Sequence, residues 1–124
     1  ILLGTAFKKA LGDKSGIARY GFMILPMDEA LILTAVDFSG RASLSFDLEI
    51  PSEKVGDFDT ELVEEFWHAF VRTAECSLHI RELAGVNSHH IIEGTFKSAA
   101  RSIRSAVSFD AAYEGQVPST KGSL

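Results

Sequence analysis

Two adjacent histidines and a glutamate, His89, His90 and Glu93, have the types and spacing that best fit chemistry in this chain. They open a long segment of helical periodicity, with Asn87 or Ser88 placed to cap its first turn. On a helix Glu93 can share a face with either imidazole, because it lies four residues beyond His89 and three beyond His90. The two histidines point about 100° apart, which suits two metal ions better than one, with Glu93 close to both. The positive end of the helix dipole is expected to keep both rings neutral and free to ligate.

Histidine pairs more often cap helices or face solvent than bind metal, so this pattern has a structural alternative. The rest of the same helix favours a site, because it separates into one apolar and one polar stripe at helical spacing. The apolar stripe contains Ile92, Phe96, Ala99, Ile103 and Ala106, and the polar stripe contains His90, Glu93, Lys97, Arg101 and Arg104. A histidine and a carboxylate followed by a row of cations indicate a site for a metal and an anion.

Composition limits the classes of function. At 124 residues and 46% hydrophobic content, the chain is one domain's worth of globular protein. A net charge of -5 argues against general nucleic-acid binding, because phosphate contacts dominate that affinity. The single cysteine, Cys76, excludes an internal disulfide and fits a reducing compartment. No apolar run has the length needed to span a membrane. The chain begins at Ile1 without a signal-peptide pattern, so we expect a fragment or a processed piece.

Periodicity predicts alternating elements along the chain. Residues 42–50 alternate strictly between apolar and polar, and Ser39-Gly40 before them predicts a tight hairpin with the preceding strand. The predicted order is β-β-β-α-β-α, an α+β two-layer sandwich with the helices on one sheet face. The predicted elements are the end of a helix at 1–11, strands at 21–25, 30–38 and 42–50, a helix at 60–75, a strand at 77–83 and a helix from about 88 to 107.

The segment after Phe109 loses its periodicity. Its glycines, proline, serines and threonine favour a disordered terminus. Phosphate binding is the alternative, because hydroxyls beside a lysine, with accessible glycine backbone, can wrap a phosphate. The chain has neither a Walker or Rossmann glycine pattern nor a Gly-x-Ser-x-Gly elbow, so nucleotide binding and serine hydrolysis are not expected.

Seven segments, spread over essentially all 124 residues, together closely resemble the imidazoleglycerol-phosphate dehydratase family. They are residues 16–21, 26–30, 36–41, 78–81, 87–93, 96–97 and 118–122. The resemblance implies two similar β-β-β-α-β-α halves, each like ribosomal protein S5 domain 2, in a cage-like homo-oligomer of 24 subunits. By that resemblance residues 1–13 end a first-half helix, 14–109 form the second half, and 110–124 form a tail with a phosphate-contacting segment.

The same resemblance implies a reaction and its residues. Enzymes of this family use two Mn²⁺ ions to dehydrate imidazoleglycerol phosphate to imidazoleacetol phosphate in histidine biosynthesis. His89, His90 and Glu93 match the metal-binding motif, and Glu93 is also the expected catalytic residue. Glu65 falls where some relatives carry another metal-ligating histidine. The positions that match phosphate contacts are Arg19, Arg41, Lys97, Ser119 and Lys121. Metal ions that bind the substrate ring as imidazolate, with a carboxylate to move protons, can push electrons towards the leaving hydroxyl.

The resemblance also implies partners. The first histidine motif and further substrate-contacting residues would lie upstream of Ile1, so we expect activity only when a first-half polypeptide is supplied. The location implied is cytoplasmic, or the plastid in a plant. Two alternatives stay open: an inactive metal-binding fragment, and a non-enzymatic S5-like binding or assembly module. The acidic balance and the paired histidines speak against an RNA role for such a module.

Overall fold

A four-stranded mixed sheet with helices on one face forms the body of the molecule in the computed structural model, which describes all residues 1–124. The elements are α1 (Leu2–Leu11), β1 (Tyr20–Met27), β2 (Ala30–Asp37), β3 (Ser43–Asp47), β4 (Lys54–Val55), β5 (Phe58–Asp59), α2 (Leu62–Ala74), β6 (Ser77–Ala84) and α3 (Ser88–Val107). The expected α+β two-layer arrangement is confirmed. None of the three helices has both the length and the apolar character needed to cross a membrane.

The neighbours of β3 differ from the prediction. The sheet order is β1-β2-β6-β3, so β3 runs parallel to β6 and the predicted hairpin at Ser39-Gly40 is wrong. The aligned residues are Leu44 with Leu78 and Phe46 with Ile80. Alternation identified the core-facing side of β3 correctly, because Leu44 and Phe46 pack against the core. Alternation carries no information about which strand lies alongside, and here β6 enters between β2 and β3.

Two element boundaries have clear local causes. β1 continues through Pro26 to Met27, beyond its predicted end, because β1 is an edge strand in which a missing N–H is tolerated. α3 begins at Ser88, and the side chain of Asn87 accepts a hydrogen bond from the backbone N–H of His90 at 3.1 Å. The predicted N-cap at Asn87 is therefore confirmed.

The face of α3 that covers the sheet is small and hydroxylated rather than purely apolar. Thr34 on β2 lies 2.9 Å from the hydroxyl of Ser98 and 2.6 Å from that of Ser102, and all three side chains are buried. Gly21 on β1 allows the close approach, because a Cβ there would lie 2.0 Å from the backbone oxygen of Ser102. The helix axis is thus held close against β1 and β2.

α3 runs antiparallel to β1. Its first turns lie beside the β1–β2 turn, since a Cβ added at Gly94 would lie 3.5 Å from the Cβ of Met27. Its last turn lies beside the start of β1, where the backbone N–H of Arg19 donates to the Ala106 carbonyl at 2.8 Å. The two ends of α3 therefore mark the two ends of the sheet.

The C-terminal tail packs at the second of these ends, contrary to the disorder that its composition favours. The Asp110 N–H donates to the Gly16 carbonyl at 2.7 Å, and the Gly16 N–H donates to the Gln116 carbonyl at 2.9 Å. Residues Ala111–Tyr113 form a 3₁₀ turn. Backbone pairing with the segment before β1, which composition does not reveal, positions the tail beside the sheet.

Candidate functional site

The first turn of α3 and the β1–β2 turn form one cluster of ionisable side chains, called here the histidine end. Within it, the His89 Nε2 lies 2.9 Å from a carboxylate oxygen of Glu93, in the predicted i,i+4 relation. The other oxygen of Glu93 accepts from the Lys97 ammonium at 2.8 Å. Lys97 first, and His89 to a smaller extent, lower the pKa of Glu93 below its ordinary value. Glu93 is therefore a carboxylate at neutral pH.

His90 contacts a different pair of carboxylates. Its Nδ1 is hydrogen-bonded to Glu29, and its Nε2 lies 3.3 Å from Asp28. Glu29 also accepts from the backbone N–H groups of Val86 at 2.8 Å and Asn87 at 3.1 Å. Neither Asp28 nor Glu29 was predicted as a histidine partner. The available signal was a pair of acids in a two-residue turn between two apolar strands.

The pKa of His90 is shifted in the direction opposite to the one expected. The hydrogen bond from His90 lowers the pKa of Glu29 to about 2, and the Glu29 carboxylate raises the pKa of His90 above its ordinary value. The helix dipole was expected to keep the rings neutral, but at His90 the adjacent carboxylates outweigh it. A metal ion at Nε2 would compete with the second proton of the ring, while the Nδ1–H could stay hydrogen-bonded to Glu29.

The imidazoles of His89 and His90 and the carboxylate of Glu93 fit part of a metal ligand set. The two imidazole rings are 6.3 Å apart and inclined by 77°, so they diverge as predicted. Glu93 contacts His89 alone, so the expectation that it serves both rings is met only for His89. No group of three or more His, Cys, Asp or Glu side chains able to hold a metal ion forms within the chain. Glu65 lies exposed on α2, outside these contacts. Imidazole and carboxylate donors suit manganese, but about six coordination positions need more ligands than one chain supplies.

A second cluster, called here the cationic pocket, lies where β1 begins and the tail packs. This cavity has a volume of about 500 Å³ and is lined by Arg19, Arg41, Ser119 and Lys121, four of the five predicted phosphate contacts. Pro118 is buried in the same wall, and its carbonyl accepts from Arg19 at 2.9 Å. Three cations and a hydroxyl around one cavity can bind a small anion such as a phosphate group.

Lys97 lies outside the cationic pocket. It pairs with Glu93 in the middle of α3. At 1.5 Å per residue, Lys97 is about 14 Å along the helix from Ala106, which marks the pocket end. The expectation that Lys97 converges with Arg19 and Arg41 is not met within one chain, because sequence spacing did not show which end of the helix faces the arginines.

The histidine end and the cationic pocket are far apart. His90 and Ala106 are separated by about 24 Å along α3. The length of β1 agrees with this distance, because the strand from Tyr20 to Met27 is also about 24 Å long. One small molecule cannot contact both clusters of the same chain.

Comparisons with known proteins agree on one family. A family model described as imidazoleglycerol-phosphate dehydratase matches residues 1–103. The imidazoleglycerol-phosphate dehydratases of Nostoc sp. and Desulforamulus reducens are 54% and 56% identical to the chain over 124 residues. These matches cover 100% of the chain but only 59% and 63% of the relatives, so the chain spans about three fifths of their length.

Solved structures agree with the sequence comparisons. The Staphylococcus aureus imidazoleglycerol-phosphate dehydratase superposes with a TM-score of 0.86 at 44% identity, over 89% of this chain and 64% of that one. The Pyrococcus furiosus enzyme, solved in complex with (S)-C348, superposes with a TM-score of 0.87 at 36% identity, over 100% and 66%. The expected α+β architecture of an S5-like half is confirmed by this similarity.

We predict that replacing Glu29 by Gln lowers the pKa of His90 towards its ordinary 6.5 in the metal-free chain. The histidine pKa is raised in the folded state, so this stabilisation is fully present below about pH 6.5 and is lost as pH rises through the raised value. The Glu29 pKa is lowered, so its contribution is lost as pH falls from 4.5 towards 2. An NMR titration of the ring protons measures the shift. Glu64→Gln, which removes the carboxylate beside His68, is the matched control and should leave the pKa of His90 unchanged. An unchanged His90 pKa in Glu29→Gln would contradict the assignment.

Proposed function

The chain belongs to the imidazoleglycerol-phosphate dehydratase family, and we propose that it supplies the second half of the enzyme that dehydrates imidazoleglycerol phosphate to imidazoleacetol phosphate. The observation that carries the proposal is that one chain presents both kinds of half-site. Imidazole–carboxylate pairs lie at one end of α3, and a pocket with three cations lies at the other. A substrate that combines an imidazole ring with a phosphate needs both.

The cationic pocket binds the substrate phosphate in this proposal. Arg19 is fixed by hydrogen bonds on three of its N–H groups, while Arg41 and Lys121 are exposed at the cavity rim. Ser119 adds a hydroxyl from the tail. Binding energy at the phosphate, remote from the reacting carbon, fixes the geometry of the chemical step.

The histidine end holds metal in the same proposal. His89 and His90 each contribute to a separate manganese ion, and Glu93 contributes a carboxylate. Manganese bound there would act as a Lewis acid on the substrate's imidazole. The remaining ligands come from another chain or from the first half. Glu65 is exposed and makes no ion pair with either histidine, so its part in the proposal is across such an interface.

Glu93 is proposed to move protons in the dehydration. Loss of water requires a proton to leave carbon and the neighbouring hydroxyl to depart with a proton. Lys97 keeps Glu93 ionised, so the carboxylate can accept the proton at neutral pH. Return of that proton to the departing hydroxyl regenerates the carboxylate and balances the step.

The separation of the half-sites implies assembly. Because about 24 Å separates them within a chain, the histidine end of one copy has to meet the cationic pocket of another, or of the missing half. A homo-oligomer, which the family resemblance extends to a cage of 24 subunits, provides such contacts.

The helix layer leaves room for the first half. An apolar groove of about 390 Å³ between α1, α2 and α3 is open to solvent, and half-exposed Leu3 and Phe66 lie along it. The first-half polypeptide is proposed to cover this groove. Covering it would remove from water the apolar surface that Leu3 and Phe66 expose.

We predict that replacing His89 or His90 by Ala lowers the manganese stoichiometry, because each imidazole serves its own ion. Metal analysis after dialysis measures the loss. Binding should also weaken as pH falls, and at His90 this begins above about pH 6.5 because the pKa of that ring is raised. His68→Ala, an exposed histidine on α2, is the control. Full retention of metal in the double His89→Ala/His90→Ala variant would exclude these residues as ligands.

Turnover tests the function itself. The purified 124-residue chain with manganese should not dehydrate imidazoleglycerol phosphate, because it offers about half of the ligands that two ions need. Adding a first-half polypeptide, as a separate chain or by fusion, should produce imidazoleacetol phosphate. Turnover by the chain alone would show that it is complete, and no turnover with the first half supplied would overturn the proposed function.

Complementation tests the composite site. We predict that a His89→Ala/His90→Ala chain and an Arg41→Ala chain, each nearly inactive with the first half supplied, regain activity when assembled together. Random pairing leaves about one quarter of the sites intact, because each site takes its two clusters from different copies. Assembling Arg41→Ala with Arg19→Ala chains is the control, since both lack the same cluster. No recovery in the first mixture would place both clusters of a site in one chain.

A further inference from the structure

Arg19 has an unusual backbone for a side chain of its size. Its φ of +73° lies in the left-handed region, which is unfavourable for a residue other than glycine. The backbone is held there on both sides, because its N–H donates to the Ala106 carbonyl at 2.8 Å and its carbonyl accepts from the Phe38 N–H at 3.1 Å. Such strain persists only where the surroundings fix it, and here the fixed residue lines the cationic pocket.

The guanidinium of Arg19 is held by a bidentate partner. Nε donates to one carboxylate oxygen of Asp37 at 2.7 Å, and Nη2 donates to the other at 3.3 Å. Nη1 donates to the Pro118 carbonyl at 2.9 Å. The Asp37 hydrogen bond raises the pKa of Arg19, and the exposed fractions of the two side chains are only 13% and 26%. The pair is therefore less screened by water than an ordinary surface ion pair.

The donor count shows what this arrangement leaves for a ligand. A guanidinium has five N–H donors, and Asp37 and Pro118 accept from three of them. The two that remain are one on Nη1 and one on Nη2, and each can donate to a phosphate oxygen. Asp37 thus orients the arginine instead of consuming its donors.

Charge repulsion alone would disfavour a carboxylate at position 37. A carboxylate beside an anion site repels the anion, so a chain selected for charge alone would have no acid at this position. The strand end where Asp37 lies is also where β2 pairs with Tyr20, next to Arg19. The carboxylate is therefore built into the end of an inner strand rather than placed on a loop.

We propose that Asp37 is a positioning residue of the cationic pocket, which acts through Arg19 both on the bound phosphate and on the tail segment 116–121. This inference rests on the proposed function, since it assumes that the cationic pocket binds the substrate phosphate. Arg19 joins the end of β2 to the tail by way of Asp37 on one side and Pro118 on the other. Fixing the guanidinium fixes both the donors and the wall that carries Ser119 and Lys121.

The test measures binding of inorganic phosphate to the chain by NMR titration, with amide hydrogen exchange in the tail as a second readout. Asp37→Asn should weaken phosphate affinity about tenfold, as expected for loss of a charged hydrogen-bond partner. It should also speed exchange of the Lys121 and Gly122 amides, which hydrogen-bond within the tail at 3.2 and 3.1 Å. Asp47→Asn, the same charge change on β3 at the opposite edge of the sheet, should alter neither.

A double-mutant cycle shows whether Asp37 acts through Arg19. In an Arg19→Ala background, Asp37→Asn should no longer weaken phosphate affinity, because only the repulsion of the carboxylate is then removed. If Asp37→Asn fails to fold, Asp37→Glu serves instead, because it keeps the charge and displaces the guanidinium by one methylene. Unchanged or tighter phosphate binding in a folded Asp37 variant, or additive effects in the cycle, would overturn the inference alone. Absence of phosphate binding by the unmodified chain would overturn the phosphate role of the pocket, and with it the inference.

Discussion

The close contact of α3 with β1 and β2 is the constraint on which the rest of the structure depends. Gly21 leaves no Cβ between strand and helix, and the buried hydroxyls of Thr34, Ser98 and Ser102 bond to one another across the same interface. Hydrogen bonds of this kind have directions, unlike contacts between apolar side chains, so they fix the helix along the sheet as well as against it. With the register fixed, the first turn of α3 can lie only at the β1–β2 turn and its last turn only at the cationic pocket.

The same kind of charge pairing occurs at both ends of α3. At each end a carboxylate from the sheet orients a cationic or basic side chain: Glu29 orients His90, and Asp37 orients Arg19. Both carboxylates lie on or beside strand ends, which are rigid, while the groups that they hold face a site. Metal-binding histidines commonly depend on such a partner for ring orientation. The carboxylate at His90 also sets a competition between proton and metal, because it raises the pKa of the ring.

Sequence periodicity predicted the features that depend on neighbouring residues along one element. It failed for strand neighbours and for contacts between residues distant in the sequence. The helix at the histidines, its Asn87 cap and the pairing of His89 with Glu93 follow from spacing along one element, and the structure confirms them. The parallel pairing of β3 with β6 was not predictable, because a strand's alternation is the same beside any neighbour. The contact of His90 with Glu29 was missed for a similar reason, since 61 residues separate them.

The residues of the cationic pocket show how family resemblance and physical pattern differ. Ser119 and Lys121 lie in a tail whose composition favours disorder, with phosphate binding as the alternative, and it was the family motif that assigned these two residues to a phosphate site. The structure supplies the physical cause: backbone bonds to Gly16 and the Arg19 contact at Pro118 hold the tail against the sheet. Resemblance placed Lys97 in the same group, but the helix register puts it beside Glu93.

Two unlike half-sites at opposite ends of one rigid body restrict how a complete site can form. A site that joins the histidine end of one copy to the cationic pocket of another is a heterologous contact, because the two surfaces differ. Heterologous contacts build rings when the rotation between copies closes and open filaments when it does not. In the proposed enzyme, filling every site in a finite assembly therefore requires closed symmetry, and catalysis and assembly would depend on the same contact. The distance between the half-sites, set by the length of α3, is then a determinant of the size of the closed assembly as well as of the active site.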